Sequence, residues 1–238
     1  MESGSPVFYS PTPEEEARLR VLAVDTTTER GSVAVVSGGE VRGEVRLRSG
    51  MGHSKRLMPA IAFLLDGLGL SASDIDGYAV AAGPGSFTGL RVGLSCVQGL
   101  ALASGRPCLG LCTLDVLAAR ISGAAPTVVA AMDAYRGEVY ACVFEADGRR
   151  RGDPVTAAPG QAFAGLPAGT AFIGDGAQRY REEIRATVRD ACFPARTTFL
   201  AGTLGLLAEP VLAAGGGVAP AELRPLYLRG TGATTPPR

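Results

Sequence analysis

The chain has 238 residues, of which 46% are hydrophobic, and its 23 basic and 23 acidic residues cancel to a net charge of zero. This length supports one domain or two small lobes around a packed core, and the neutral balance argues against a protein that holds nucleic acid by its own electric field. No apolar run is long enough for a membrane helix, and five cysteines without an export signal predict a cytoplasmic protein.

The first quarter of the chain predicts a tail followed by a β-meander. Residues 1–18 contain three prolines and an acidic run, and we expect a flexible tail there. Residues 19–25, 31–36 and 40–48 are β-rich, and Gly38 and Gly39 separate the second from the third. Short apolar runs joined by glycine turns are typical of antiparallel strands.

Two apolar helices are predicted next, with a buried strand at residues 75–82 between them. Residues 54–68 place leucine and isoleucine at helical spacing. The stretch AAGPGSFTGLRVG, residues 81–93, matches neither a P-loop nor a dinucleotide fingerprint. It predicts a tight turn that enters a helix capped by Ser86 and ended by Gly105.

The second of these helices contains Gly89, Gly93 and Gly99, which together cost about 2–3 kcal/mol relative to alanine. We therefore expect another backbone to approach it closely. The helix is apolar around most of its circumference, so it is either a core helix or covered by a partner.

The second half of the chain repeats the pattern of the first. Residues 126–148 and 21–39 share the order apolar strand, Asp, Arg-Gly, second strand and glycine turn, with Asp133 matching Asp25. This predicts a duplication, although strand–turn–strand units are common enough for coincidence. Beyond the repeat we expect a loop-rich segment near residues 149–170, a strand and glycine turn near residues 171–180, and a helix near residues 197–211.

The polar residues at the strand ends have two interpretations. Asp25, Thr26 and Thr27 could hold phosphate and a metal-bound water, as could Asp133, or they could bond the backbone of their own turns. His53 is the only histidine, which is too few for a histidine-based zinc or iron site.

Five motifs together resemble the TsaB family, the dimerisation subunits of bacterial tRNA threonylcarbamoyladenosine synthesis: LAVDTTTERGSVAVV, GHSKRLMPAI, GPGSFTGLRVG, MDAYRGEVYACVF and RPLYLR. The resemblance runs over about residues 19–229. It implies an α/β, two-lobed actin-like ATPase (ribonuclease H-like) fold with duplicated mixed-sheet lobes. The lobes would span residues 19–108 and 109–238, with the last helix or strand returning to the first lobe.

The resemblance also implies a function without catalysis by this chain. The chain would be a scaffold that pairs with the paralogue TsaD and the ATPase TsaE, forms a homodimer when alone, and reaches tRNA only through the complex. The implied partner interface lies on residues 54–68 and 86–104, at Leu57, Met58, Ile61, Leu65, Arg91, Val92, Gly93, Ser95, Cys96 and Gly99.

No cofactor or metal is required by this interpretation, but ATP or ADP could bind a degenerate nucleotide cleft formed by Asp25, Thr26, Thr27, Asp133, Gly174 and Gly176. Two alternatives stay open. An ATP-dependent kinase of the same superfamily would hold Mg–ATP at Asp25 and Asp133. A glycoprotease-like metallopeptidase would need a metal site that one histidine cannot build.

Overall fold

The computed structural model describes residues 18–48 and 52–228. Its first sheet has five strands in the order β3-β2-β1-β4-β5. Strand β2 runs antiparallel to β1 and β3, whereas β1, β4 and β5 are parallel. Their bounds are β1 (Arg20–Asp25), β2 (Arg30–Ser37), β3 (Glu40–Arg48), β4 (Gly77–Gly83) and β5 (Cys108–Cys112). The predicted meander is confirmed, and the β2–β3 turn is made by two glycines with positive φ, Gly38 and Gly39.

The second sheet has four strands in the order β8-β7-β6-β9. Strand β7 runs antiparallel to β6 and β8, whereas β6 and β9 are parallel. The order β8-β7-β6-β9 therefore has the same strand directions as β3-β2-β1-β4 in the first sheet. The two lobes are therefore built on one repeated mixed-sheet topology. The bounds are β6 (Thr127–Tyr135), β7 (Glu138–Glu145), β8 (Val155–Ala157) and β9 (Ala171–Ile173).

Both faces of the first sheet are covered by helices. Alternate strand residues such as Leu22 and Val24 face helices α1 (Leu57–Gly67) and α2 (Phe87–Ser104), and they form one core with Leu64 and Leu94. On the other face, Val21 and Ala23 share a core with helices α3 (Thr113–Ala119) and α7 (Ala201–Ala213) and with the inner face of the second sheet. Helices α1 and α2 therefore lie on the outside of the first lobe.

The far face of the second sheet packs against three short helices, α4 (Pro159–Ala162), α5 (Asp175–Arg179) and α6 (Arg181–Thr187). Phe163, Phe172 and Ile184 are fully buried in this third core. The segment predicted to be loop-rich contains β8 and α4. Both elements are too short to show a hydrophobic period, and β8 forms because it pairs with the edge of β7.

Helix α7 lies on the first sheet although it follows the second sheet in the chain. The hydroxyl of Ser32 on β2 accepts hydrogen bonds from the backbone N–H groups of Leu200 and Ala201, at 3.1 and 3.0 Å, where this helix begins. The carboxylate of Glu209 accepts from the N–H groups of Gly38 and Gly39. The sequence predicts that the first lobe ends at residue 108. In the structure this position is the first residue of β5, which is a strand of the first sheet.

Candidate functional site

The glycine-containing stretch after β4 forms a tight turn and a closely packed helix. The Ser86 hydroxyl accepts from Gly89 N at 3.3 Å, and Gly105 ends α2 in the left-handed conformation. A Cβ atom at Gly89 would overlap the Thr26 carbonyl oxygen, and one at Gly93 would overlap the Thr26 hydroxyl. The backbone approach that the glycines predicted is present, and it comes from the chain's own β1–β2 turn.

Only part of the predicted partner interface is accessible. The structure buries Leu57, Ile61, Leu65 and Gly93 against the first sheet or the β1–β2 turn. Leu57, Ile61 and Leu65 turn their side chains into the chain's own core, and Gly93 has no side chain, so in this structure these residues do not present side chains to a partner. The physical reason is that a helix lying on a sheet uses its most apolar stripe for its own core. The remaining predicted residues are exposed or half-buried: Met58, Arg91, Val92, Ser95, Cys96 and Gly99.

Large apolar side chains nevertheless point away from the core on both helices. Phe63 on α1 is 71% exposed and Leu102 on α2 is 75% exposed. The thiol of Cys96 lies 3.5 Å from the sulfur of Met58, so the two helices meet between these residues. We call this surface the outer helical face and define it as Met58, Phe63, Arg91, Val92, Ser95, Cys96, Gly99 and Leu102.

Phe63 and Leu102 were missed by the sequence analysis. A signal for them existed, because each lies off the stripe of apolar residues that its helix buries. Monomeric proteins rarely expose large contiguous apolar patches, and such patches mark sites of protein–protein contact. The outer helical face can therefore bind another apolar surface.

A second candidate site is the cleft between the lobes, a cavity of about 310 Å³. Residues Thr27, Arg30 and Ser86 line it from the first lobe, and Asp133 and Arg179 line it from the second. Of the six residues predicted for a nucleotide cleft, Thr27 and Asp133 line this cavity. The other four, Asp25, Thr26, Gly174 and Gly176, are buried.

Asp25 and the threonines after it bond within the chain. One Asp25 carboxylate oxygen accepts from Thr27 N at 2.9 Å and from the Thr27 hydroxyl at 2.7 Å, while the other has no partner among the described residues. Burial raises the pKa of Asp25 to about 6. The Thr26 hydroxyl donates to the Gly89 carbonyl at 2.8 Å. Asp25 and Thr27 therefore bond within the β1–β2 turn, whereas Thr26 ties that turn to α2.

The equivalent residues of the second lobe are also engaged. Asp133 forms an ion pair with Arg179 at 2.9 Å, and its other oxygen accepts from Tyr135 N at 3.0 Å. A Cβ atom at Gly174 or Gly176 would overlap the backbone of β6, so these glycines allow the β9–α5 turn to pack there. Asp133 therefore has both carboxylate oxygens engaged, and the one unpartnered oxygen of Asp25 is buried, so neither residue presents an accessible metal ligand in this structure.

Neither a metal-binding cluster nor a membrane-spanning helix is found among the described residues. Within residues 18–48 and 52–228, no group of three or more His, Cys, Asp or Glu side chains is arranged to hold a metal ion. His53 is buried, and its Nε2 lies 2.6 Å from the Thr28 carbonyl oxygen. In the same part of the chain, no helix combines the length and apolar character needed to cross a bilayer.

Comparison with known proteins gives consistent matches. The family model described as TsaD, tRNA N6-adenosine threonylcarbamoyltransferase, matches residues 47–223. The tRNA threonylcarbamoyladenosine biosynthesis proteins TsaB of Escherichia coli (strain K12) and Haemophilus influenzae are each 40% identical, over 131 and 124 residues. Those alignments cover 54% and 51% of this chain and 56% and 52% of the relatives, so the chain spans about half the length of these curated relatives.

Among solved structures, YeaZ from Pseudomonas aeruginosa superposes with a TM-score of 0.77 at 32% identity, covering 88% of this chain and all of that one. The match therefore extends over both lobes and includes the repeated sheet topology. The chain is a homologue of the TsaB proteins and belongs to the family described by the tRNA N6-adenosine threonylcarbamoyltransferase model.

Proposed function

We propose that the chain is a non-catalytic subunit in the formation of threonylcarbamoyladenosine in tRNA, and that it pairs through its outer helical face with a TsaD-type subunit that carries the chemistry. The observation that carries this proposal is that α1 and α2, which meet at Met58 and Cys96, both expose large apolar side chains. The names of the TsaB relatives supply the process in which such pairing would serve.

The engagement of the polar side chains supports a role without catalysis. Asp25 is buried, and Asp133 is paired with Arg179. A kinase would need these carboxylates free to bind Mg–ATP. A metallopeptidase would need several ligands around a metal, and His53 already contacts the Thr28 carbonyl oxygen. Both alternatives therefore have less support than the scaffold.

The same surface suits a partner of related fold. A TsaD-type subunit belongs to the family whose model matches this chain, so it would bring a comparable pair of helices to the contact. Two helices from each subunit would bury the apolar outer faces in a four-helix packing. In the absence of that partner, a second copy would cover the face, giving a homodimer that competes with the heterodimer. The ATPase TsaE would join the assembled pair.

Gly99 offers the sharpest test of the pairing surface. It lies within α2 and is exposed, and a Cβ atom added there meets nothing within 4 Å. Gly99→Arg should therefore leave the fold intact while placing a charge inside the apolar contact. We expect the affinity for a TsaD subunit of the same organism to fall by at least about tenfold. Size-exclusion chromatography with light scattering would measure the heterodimer and the homodimer.

Gly160→Arg is the matched control, because Gly160 also lies exposed in a helix, α4, with open space around its Cβ position, and belongs to the other lobe. This variant should pair like the unmodified chain. The proposed surface would be wrong if Gly99→Arg and Gly160→Arg paired equally well. The scaffold role itself would be wrong if the isolated chain transferred threonylcarbamoyl to tRNA unaided.

A further inference from the structure

An aromatic groove lies where the two lobes meet, beside the start of α2. Its volume is about 590 Å³, within the range of small-molecule sites. The start of α2, the β6–β7 turn and residues 226–228 form its walls. None of the residues that line it in the described part of the chain is charged. Four of them are aromatic: Phe87, Tyr135, Tyr140 and Tyr227.

The rings of this aromatic groove are exposed and held in place. Phe87 and Tyr227 have ring centroids 5.8 Å apart with planes inclined at 33°. Tyr135 is 61% exposed on a turn whose backbone has positive φ. The segment that carries Tyr227 is tied to β4, because Leu226 N donates to the Ala82 carbonyl at 2.7 Å. The groove therefore presents three exposed rings, and the segment that carries Tyr227 is anchored to the first sheet.

One arginine lies over a ring of the groove, and a second follows another of its lining residues in the chain. The Arg91 guanidinium lies over the Phe87 ring, 3.9 Å from its centroid. Arg136 follows Tyr135 on the exposed β6–β7 turn. Neither forms a salt bridge with a carboxylate in residues 18–48 or 52–228. An uncharged aromatic floor beside cations that have no carboxylate partner among the described residues complements a planar base attached to a phosphodiester backbone.

We propose that the aromatic groove binds an unstacked nucleobase of an RNA strand, with the flanking phosphates near Arg91 and Arg136. Unpaired RNA bases stack on aromatic side chains and on arginine planes, whereas paired RNA does not offer its bases in this way. Such stacking does not require a basic protein, so it is compatible with a net charge of zero. The inference rests on the proposed function in one respect, that RNA is the substrate of the complex.

An apolar segment of a protein is the other occupant to consider, since Arg91 also belongs to the outer helical face. The observations favour the base for two reasons. The groove offers aromatic rings on which a flat base can stack, beside its leucine side chains, and an apolar segment would leave Arg91 and Arg136 without an anion.

The test uses the full chain and a fluorescently labelled RNA hairpin with an unpaired loop, with polarisation as the readout and a fully paired RNA duplex for comparison. Tyr227→Ala should weaken hairpin binding by about fivefold or more, whereas Tyr227→Phe, which keeps the ring, should bind nearly as well as the unmodified chain. Arg136→Gln should reduce the dependence of hairpin affinity on salt.

Val155→Ala removes an exposed apolar side chain of β8, outside both the groove and the outer helical face, and should leave RNA binding unchanged. Thermal unfolding of each variant shows that it is folded. Equal affinity for hairpin and duplex, or equal binding by Tyr227→Ala and Tyr227→Phe, would overturn the proposal. So would a Tyr227→Ala variant that loses pairing with the TsaD subunit rather than RNA, because the groove would then hold protein. Pairing is measured separately with Gly99→Arg, so failure of the scaffold role is distinguishable.

Discussion

Replacing the glycines of α2 one at a time by alanine tests how the β1–β2 turn packs on this helix. In a helix interior each replacement should gain about 0.8–1 kcal/mol of intrinsic helix propensity. At Gly99 a Cβ atom meets nothing within 4 Å, so the gain is unopposed. We expect Gly99→Ala to raise the free energy of unfolding by about 0.8–1 kcal/mol.

At Gly89 the same methyl group would lie less than 3.0 Å from the Thr26 carbonyl oxygen, which belongs to the backbone and cannot rotate away. Overpacking of this kind costs typically about 1–3 kcal/mol, occasionally more. A methyl group at Gly93 would lie less than 3.0 Å from the Thr26 hydroxyl oxygen. Displacing this hydroxyl would break its buried hydrogen bond to the Gly89 carbonyl, which should cost about 1–3 kcal/mol. After the propensity gain, both variants should be less stable than the unmodified chain or close to it.

Urea and thermal unfolding followed by circular dichroism would measure the contrast. Gly99→Ala should exceed Gly89→Ala in stability by about 1–3 kcal/mol, which for a chain of this size corresponds to a difference in Tm of about 2–12 °C. Gly99→Ala serves as the internal control because it changes the same residue type in the same helix. Equal midpoints for Gly89→Ala and Gly99→Ala would refute the tight packing between Thr26 and α2.

Two further predictions concern the buried polar groups. Burial raises the pKa of Asp25 from 3.8 to about 6. Between these pH values the folded chain binds a proton that the unfolded chain has released. The free energy of unfolding should therefore fall by about 3 kcal/mol as the pH rises from about 4 to above 6. Asp25→Asn should abolish this part of the pH dependence in urea unfolding at pH 4 to 8; an unchanged slope would contradict the raised pKa. Ser32→Ala removes the acceptor for Leu200 N and Ala201 N and should lower the free energy of unfolding by about 1–3 kcal/mol, whereas Ser95→Ala, at an exposed helix position, should change it by less than about 0.5 kcal/mol. Equal urea midpoints for the two serine variants would show that Ser32 does not cap α7.

Features that depend on neighbours in the chain were predictable. The Gly38–Gly39 turn, the Ser86 cap and the Gly105 stop were confirmed because turn and cap chemistry acts over three or four residues. The repeat that relates Asp25 to Asp133 was visible for the same reason, and it appears in the structure as two sheets of common topology.

The candidate site was predictable only in part. Helical spacing showed which residues of α1 and α2 share a face, but it assigned the most apolar stripe to a partner. In the structure Ile61 and Leu65 are buried against the first sheet, whereas Phe63 and Leu102 are exposed to solvent. The aromatic groove was not foreseen, since its rings come from positions 87, 135, 140 and 227, which are far apart in the sequence.

The amino-acid sequence alone thus predicted the β-meander, helices α1 and α2, the repeated unit and a close backbone approach at α2, because periodicity, capping and glycine content are local properties. The fold settled which stripe of each helix is covered, that Thr26 is the residue packed against Gly89 and Gly93, and that Ser32 caps a helix 168 residues further along the chain. Those outcomes depend on contacts between residues far apart in sequence, and only the folded chain brings such residues together.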